Sequence, residues 1–494
     1  MIERIIQQLT YHPDEPMLFS SGLFLFLFLG FSLVYMLLQY QRTLRLLFVT
    51  VFSYYFYYKS SGFYFMLLAI VTLSDFFIAK AIAASPALSR GRLRGRLLVA
   101  LSLCIDLGLL GYFKYTNFFC GLWAQLVGNN FQPYDIFLPV GISFFTFQSM
   151  SYVIDVYRGD LKPLPSLLDY AFYVSFFPQL VAGPIVRASH FAPQIRQPLR
   201  VTQEMFSRGV YFITIGLLKK AVISDYISLN FVDRIFDNPS LYSGLENLLG
   251  VYGYTLQIYC DFSGYSDMAI GIALLLGFRF PINFNAPYRS VSITDFWRRW
   301  HISLSSWIRD YIYISLGGNR RGKVRTYVNL IVTMLLGGLW HGASLNFVAW
   351  GGMHGVALAI HKWMRTNIFH HDKTYESHGL RKLAAIVLTF HFVAFCWIFF
   401  RHHTFDAALG MLTQIFTSFH PELLSQVASG YRYVFILIAI GYLTHFIPQS
   451  WENVAVKVIG KGGVVAAAVV LSIAIWMVIQ VKSSTIQPFI YFQF

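Results

Sequence analysis

Chemistry in this chain starts with a histidine. His341 sits in "LLGGLWHGAS" (335–344), near the end of an apolar run that begins at about Tyr327. At ~1.5 Å of rise per helical residue, the run carries it ~21 Å along a helix axis. A bilayer's hydrocarbon core is ~30 Å thick, so in a membrane span His341 lies in or just past the middle. An ionisable group at that depth faces the protein interior or a water-filled cavity. An imidazole titrates near neutrality and suits general base catalysis. Gly337, Gly338 and Gly342 remove side chains around it and allow a backbone or a substrate to come close. Trp340 offers an amphipathic wall. The competing assignment is a histidine whose ring nitrogens are satisfied by neighbouring helices.

Two aspartates raise the same question. Asp261 and Asp267, in "YCDFSGYSDMAIGIALLLGF" (259–278), are six positions apart and do not share a helix face. With Ser263, Tyr265 and Ser266 nearby, they mark hydrogen-bonded helix breaks, or else they orient a catalytic histidine or line a polar tunnel. The pairs His370–His371 and His402–His403 fall in polar gaps and read as surface residues. His391 lies in an apolar span without glycine around it and reads as a satisfied core residue. Other chemistries lack their motifs. The chain has no His-Glu-x-x-His pair, no Gly-x-Ser-x-Gly elbow and no P-loop. Cys104, Cys120, Cys260 and Cys396 form no close pair, so neither a zinc site nor a disulfide framework is expected.

The elements that must hold these residues are membrane helices. The hydrophobic fraction is 56% and the charged fraction 12%, against ~25% charged in soluble chains. Mean hydropathy is +0.54. Apolar runs recur at about 17–38, 44–58, 62–84, 97–119, 136–155, 166–186, 205–230, 246–278, 326–362, 383–400, 432–450 and 463–481. They amount to roughly ten to twelve spans plus re-entrant pieces in an all-α polytopic protein, a single membrane domain over 1–494. The runs 246–278 and 326–362 exceed one span, and their glycines offer places for a break. No internal repeat is evident. The first apolar run follows a mixed-charge head rather than a basic one, so no cleavable signal peptide is expected.

A net charge of +15 could suggest nucleic acid, but the basic residues fall in the short gaps between apolar runs, which is the positive-inside pattern. No nucleic-acid partner is expected. "SRGRLRGR" (89–96) carries Arg90, Arg92, Arg94 and Arg96 and belongs in the cytoplasm, which puts the N-terminus outside. The gap 120–135 has one charge, Asp135, and fits outside. The gaps 156–165 and 187–200 are basic, so the segment between them, 166–186, dips in and returns. Its "FFPQLVAGP" suits broken helix, and broken helix at membrane depth must be buried or line a cavity. The richest polar region, 279–325, has nine basic against two acidic residues, a net of +7. Its core, "DFWRRWHISLSSWIRDYIYISLGG", repeats apolar or aromatic residues at a rough 3.6 period. It reads as an amphipathic helix at the cytoplasmic face or lining a mouth there. The charge either sets topology beside anionic lipid or attracts an anionic substrate, such as the phosphates of coenzyme A or an acidic carrier protein.

The motifs, in order, resemble one family. "PVGISFFTFQSMSYVIDVYRG" (139–159), "FFPQLVAGPIVR" (176–187), "YCDFSGYSDMAIGIALLLGF" (259–278), "NFNAPYRSVSITDFWRRWHISLSSWIRDYIYISLGGNR" (283–320), "LLGGLWHGASLNFVAWGGMHG" (335–355) and the ending "PFIYFQF" (488–494) are similar to those of the membrane-bound O-acyltransferases. The resemblance is to the bacterial polysaccharide branch, which includes the alginate O-acetylation membrane subunit. It implies a ring of helices around a thin, funnel-shaped centre with re-entrant segments. The family's Leu-Trp-His-Gly histidine falls on His341, and its second polar position, on Trp-Arg-Arg-Trp-His, falls on His301. His341 would then sit where a tunnel from the cytosol meets one from outside. Trp297, Ser303, Arg309 and Asp310 on the same stretch, with Trp340, Asp261 and Tyr265, are the candidate substrate-binding residues.

By the same resemblance the activity is O-acyl transfer in the bacterial inner membrane, with acetyl-CoA as donor and no bound cofactor or metal. His341 acts as general base, and His301 holds the thioester or stabilises the oxyanion. Relatives hand the acyl group to an extracytoplasmic partner of the SGNH-hydrolase type, which is expected here for O-acetylation of an exopolysaccharide. Alginate, cellulose and peptidoglycan are all served by similar chains. Two rivals stay open: an acyl or D-alanyl transferase fed by a carrier protein, and a transporter of acyl groups or polysaccharide with no chemistry. Paired histidines favour an enzyme, because a pore needs no imidazoles at its centre.

Overall fold

The computed structural model of the protein describes residues 2–13, 15–84, 93–369 and 378–481, and every regular element among them is helical. The ending at 488–494, His370, His371 and part of the 89–96 loop lie outside the described residues. The chain divides into two compact units, Met1–Ile213 with Met268–Pro281, and Thr214–Asp267 with Ile282–Phe494. The division falls inside two helices, Gln203–Leu217 and Gly244–Leu275.

In the first unit, Ser21 opens the Gly22–Leu37 helix by accepting the Phe24 amide at 3.2 Å. The helices Arg42–Ser61 and Phe65–Ala84 meet at Gly62, whose φ of 59° a side chain would strain. Ile142–Arg158 is buried along almost its whole length and is correspondingly polar, with Gln148, Ser149 and Ser151 inside. The 166–186 segment is broken as expected, into Leu167–Ser175 and the one-turn Phe177–Leu180 with Pro178 in its first turn.

Among the described residues, four helical stretches are long and apolar enough to cross a bilayer: Arg42–Ala84, Leu93–Leu126, Gly379–Arg401 and Gln449–Val481. A bent pair, Pro421–Gly430 with Arg432–Phe446 at 94°, adds a broken fifth. The protein is an all-helical, polytopic membrane protein. The larger number of spans read from the sequence includes helices such as Ile142–Arg158. Protein covers these rather than lipid, so they carry polar residues that a lipid-facing helix cannot.

Two long apolar runs behave differently. The run 326–362 does break, into Lys323–His341 and Leu345–Asn367, with extended backbone at Gly342. The two helices then pack as a hairpin along glycine. A Cβ on Gly338 would lie 2.2 Å from the Phe347 carbonyl oxygen, and one on Gly351 would lie 2.3 Å from that of Met334. The run 246–278 does not break. Gly244–Leu275 is one helix of 32 residues. Its glycines serve packing rather than bending: a Cβ on Gly264 would come within 2.8 Å of the Gly216 carbonyl oxygen.

The 293–314 stretch also corrects the expectation of one amphipathic helix. It forms two short helices, Ile293–Arg299 and Ile302–Ile308, followed by a π-helical turn Arg309–Tyr313. Ser292 caps the first by accepting the Asp295 amide at 3.2 Å, while the Asp295 carboxylate reaches back to accept the Val291 amide at 3.2 Å. The break falls at Trp300 and His301. The face meant for a membrane surface is largely core, since Phe296, Trp300, Leu304 and Trp307 are all buried.

Candidate active site

His341 is the last residue of the Lys323–His341 helix and is 3% exposed. The rings of Trp340, Trp350 and Phe400 surround its imidazole at centroid distances of 4.9, 5.1 and 5.3 Å. Beyond these rings His341 lines a cavity of about 130 Å³, whose walls include Trp297, Leu304, Ile308, Met334, Gly337 and Trp350. The lining is mostly apolar, so water is disfavoured and a polar group inside gains electrostatic strength. Arg309 is the cationic residue of the wall. Its guanidinium is well exposed and donates to its neighbour Asp310 at 2.6 Å.

His301 reaches its place through a strained turn. Its φ is 43°, a left-handed conformation that costs a non-glycine residue about 1–3 kcal/mol and persists only where the surroundings enforce it. Here they do. The Ile302 amide donates to the Asn283 backbone carbonyl at 2.9 Å, and the Asn285 amide donates to that of Arg299 at 2.9 Å. The Asn283 side-chain oxygen accepts from the Ser303 amide at 3.2 Å and the Ser303 hydroxyl at 2.8 Å, and lies 3.2 Å from His301 Nδ1. The His301 ring is fully buried, edge-on to Phe262 at 4.6 Å. Trp340 packs on both histidines, 6.1 Å from the His301 ring and 4.9 Å from the His341 ring.

A buried imidazole on the wall of a small apolar cavity, with a second imidazole one indole away, suits proton transfer in a water-poor space. The membrane-bound O-acyltransferase family profile matches residues 160–369, which include both histidines. Over 501 residues the chain is 39% identical to the Probable alginate O-acetylase AlgI of Pseudomonas putida, covering 97% of this chain and 100% of that protein. It is 36% identical to the peptidoglycan O-acetyltransferase of Helicobacter pylori, over 80% of this chain and 79% of that one. A teichoic acid D-alanyltransferase of Bacillus subtilis matches at 32% over 55% of this chain and 72% of its own length. The chain belongs to the membrane-bound O-acyltransferase family. It is an O-acyltransferase that works in a lipid bilayer on an acyl donor.

Within this acyltransferase the sequence candidates separate. Trp297 and Arg309 line the cavity with His341. Trp340 is buried against both histidines, and Ser303 is held by Asn283 beside His301. Asp310 is engaged by Arg309 next to the wall. Asp261 and Tyr265 are buried but do not line the cavity. Asp261 pairs with Lys220, which also binds Asp225 at 2.8 Å, and Asp267 pairs with Lys219 at 2.7 Å. The two aspartates therefore tie the long Gly244–Leu275 helix to the 218–224 turn. Lys219 and Lys220 went unremarked in the run 205–230, although two adjacent cations inside an apolar segment were the signal.

His391 is satisfied, as expected, but it is exposed on the outer face rather than in the core. His402 corrects the surface assignment of its pair. It is 6% exposed, with its ring 5.1 Å from Phe236, while His403 is exposed. The polar gap that suggested a surface is a helix end packed against Asn346, whose amide donates to the His402 carbonyl at 2.7 Å.

Sequence reasoning missed Asn283 and His354. His354 is fully buried, and its Nδ1 accepts the Trp297 indole N–H at 3.3 Å. An indole nitrogen can only donate, so the proton of His354 sits on Nε2 and its lone pair on Nδ1. This hydrogen bond sets the Trp297 ring in the cavity wall.

Proposed function

We propose that the protein transfers an acetyl group from a cytosolic thioester, acetyl-CoA, across the inner membrane for O-acetylation of an extracytoplasmic polysaccharide, with His341 as general base. The observation that carries this is His341's position on the wall of the mostly apolar cavity, caged by Trp340, Trp350 and Phe400. The imidazole takes the proton of an attacking hydroxyl as its oxygen bonds to the thioester carbonyl carbon. The carbon–sulfur bond then breaks, and the sulfur leaves with that proton as the free thiol. His301 assists by hydrogen bonding.

The donor enters from the basic side. Arg320, Arg321, Lys323 and Arg325 are exposed, at the far end of the helix that terminates in His341. The helix rises about 27 Å between those ends, so an extended arm on the donor is needed to reach the imidazole. The extracytoplasmic acceptor is an SGNH-type partner, which passes acetyl to the glycan. The N-terminus lies outside and the 279–325 segment inside. Names among the relatives support acetyl over D-alanyl, since the acetyl-transferring relatives match far more of the chain than the D-alanyl one.

The test is reconstitution in sealed vesicles with the partner protein. Labelled acetyl-CoA supplied on the Arg320 side should label the partner or its glycan, and supplied on the opposite side it should not. Labelling that requires a charged carrier protein, with acetyl-CoA inert, would move the protein to the carrier-dependent class. Passage of label with no acyl bond made or broken would make it a transporter.

A further inference from the structure

We infer that Asn283 is a positioning residue that holds His301 with its proton on Nδ1, so that Nε2 presents a lone pair and accepts a hydrogen bond from an O–H or S–H group of the substrates. The inference deepens the reading of His301 given above and rests on it. It also fixes the sense of that hydrogen bond, with His301 as acceptor. A neutral His301 held this way cannot donate from Nε2 to a thioester carbonyl or its oxyanion.

The orientation of the amide is set by a group that has no choice. The Ser303 backbone N–H can only donate, and it points at one side-chain atom of Asn283 at 3.2 Å, so that atom is the oxygen. The Ser303 hydroxyl donates to the same atom at 2.8 Å. The other atom, the NH₂ group, donates to Ser266 Oγ at 3.2 Å. His301 Nδ1 lies 3.2 Å from the oxygen. A carbonyl oxygen accepts only, so Nδ1 must carry the hydrogen, and in a neutral imidazole Nε2 keeps the lone pair. The ring cannot escape by flipping at low cost. Its backbone is pinned in the left-handed region by the Ile302 amide on the Asn283 carbonyl, and Phe262 and Trp340 pack on its faces and edges. One residue therefore fixes the turn with its backbone and the tautomer with its side chain. His354 is the opposite case in the same unit, with its lone pair on Nδ1.

The experiment compares His301→Ala, Asn283→Leu and Asn283→Asp in the full-length protein with acetyl-CoA and the partner protein, alongside ¹⁵N NMR of histidine-labelled protein. The His301 signal is identified by its loss in His301→Gln. The wild-type spectrum should show Nδ1 protonated, and Asn283→Leu should show a mixture. Asn283→Leu should lower kcat by about tenfold or more, as loss of an oriented acid–base group does, with KM for acetyl-CoA little changed. Asn283→Asp keeps an acceptor at the same place and should restore most of the turnover. A His301 signal with Nε2 protonated in wild type would overturn the inference, even if Asn283→Leu failed to fold. Wild-type kcat in a folded Asn283→Leu would overturn it too. Normal turnover in His301→Ala would instead overturn the catalytic reading of His301 itself.

Discussion

The Gly379–Arg401 helix carries one histidine and touches another, each on the wall of a different space. Near its C-terminal end, Phe400 packs on His341 at 5.3 Å beside the cavity of about 130 Å³. Nine residues earlier, His391 lines an apolar groove of about 400 Å³ with Tyr252, Phe390, Ile438 and Tyr442. By size the groove is the better pocket. By chemistry it is not. His391 Nδ1 lies 2.8 Å from the Val387 carbonyl oxygen and must donate to it, so Nε2 accepts the Tyr252 hydroxyl at 3.0 Å. Both nitrogens are committed, and the ring is exposed on an apolar face. His341 is buried at a helix end, on the cavity wall with Gly337. A reactive site depends on where an imidazole is placed and what surrounds it, and volume does not report that.

The sharpest way to break the comparison is at His341. Glutamine keeps the size and hydrogen-bonding capacity of the side chain but cannot take a proton near neutrality. His341→Gln and His341→Ala should therefore lose acyl transfer alike, by about 10²–10⁴-fold, with normal insertion and expression. Transfer is measured as acetyl label on the partner or glycan. Near-normal turnover in His341→Gln would make the residue structural and remove the distinction from His391.

A second test asks whether the glycines of the helix hairpin act through packing. A Cβ on Gly338 would lie 2.2 Å from the Phe347 carbonyl oxygen and 3.1 Å from Gly351 Cα, so the helix hairpin that carries His341 must move apart. Gly338→Ala should destabilise the protein by about 1–3 kcal/mol. Gly352→Ala meets only a side-chain carbon, Leu335 Cδ2 at 3.4 Å, and should be close to neutral. Thermal unfolding in detergent separates them. Equal melting temperatures for the two variants would show that the hairpin is looser than its contacts suggest.

The two ends of the Lys323–His341 helix can be set against each other as well. Charge reversal at Arg320 and Arg321 is expected to raise KM for acetyl-CoA and leave kcat near wild type. The effect should fade with salt, because exposed charges are screened over about 8–10 Å at ordinary ionic strength. Unchanged KM at low salt would return those arginines to a purely topological role.

These residues also show what could be read in advance. His341 was legible because an ionisable side chain in an apolar, glycine-flanked run has few bland explanations. The hairpin break near Gly342 was legible for a similar reason: the run was too long for one span. Gly264 was not, because a glycine that bends a helix and one that admits a neighbour look alike until the neighbour is placed. The turn at His301 was hidden more deeply. No glycine, asparagine or proline marks it, and its φ is imposed by a loop about eighteen positions upstream. Asn283 was illegible for the same cause, since its partners are tertiary. His391 was half legible: its apolar context implied satisfied nitrogens but could not say which side of the helix faced outward.

The smallest effect should come from His391 itself. His391→Ala removes two hydrogen bonds, each worth roughly 0.5–1.5 kcal/mol net, and leaves the Tyr252 hydroxyl without this partner. The groove is apolar and already open, so the lost volume joins existing space rather than creating a closed cavity. Stability should fall by about 1–2 kcal/mol and turnover should stay at the wild-type level. His391→Phe restores apolar bulk but not the bond to Tyr252, so it should recover only part of that loss. The pair of variants thus separates packing from hydrogen bonding at a histidine that does no chemistry. If a folded His391→Ala lost acyl transfer as His341→Gln does, the groove would belong to the reaction path and the comparison would invert.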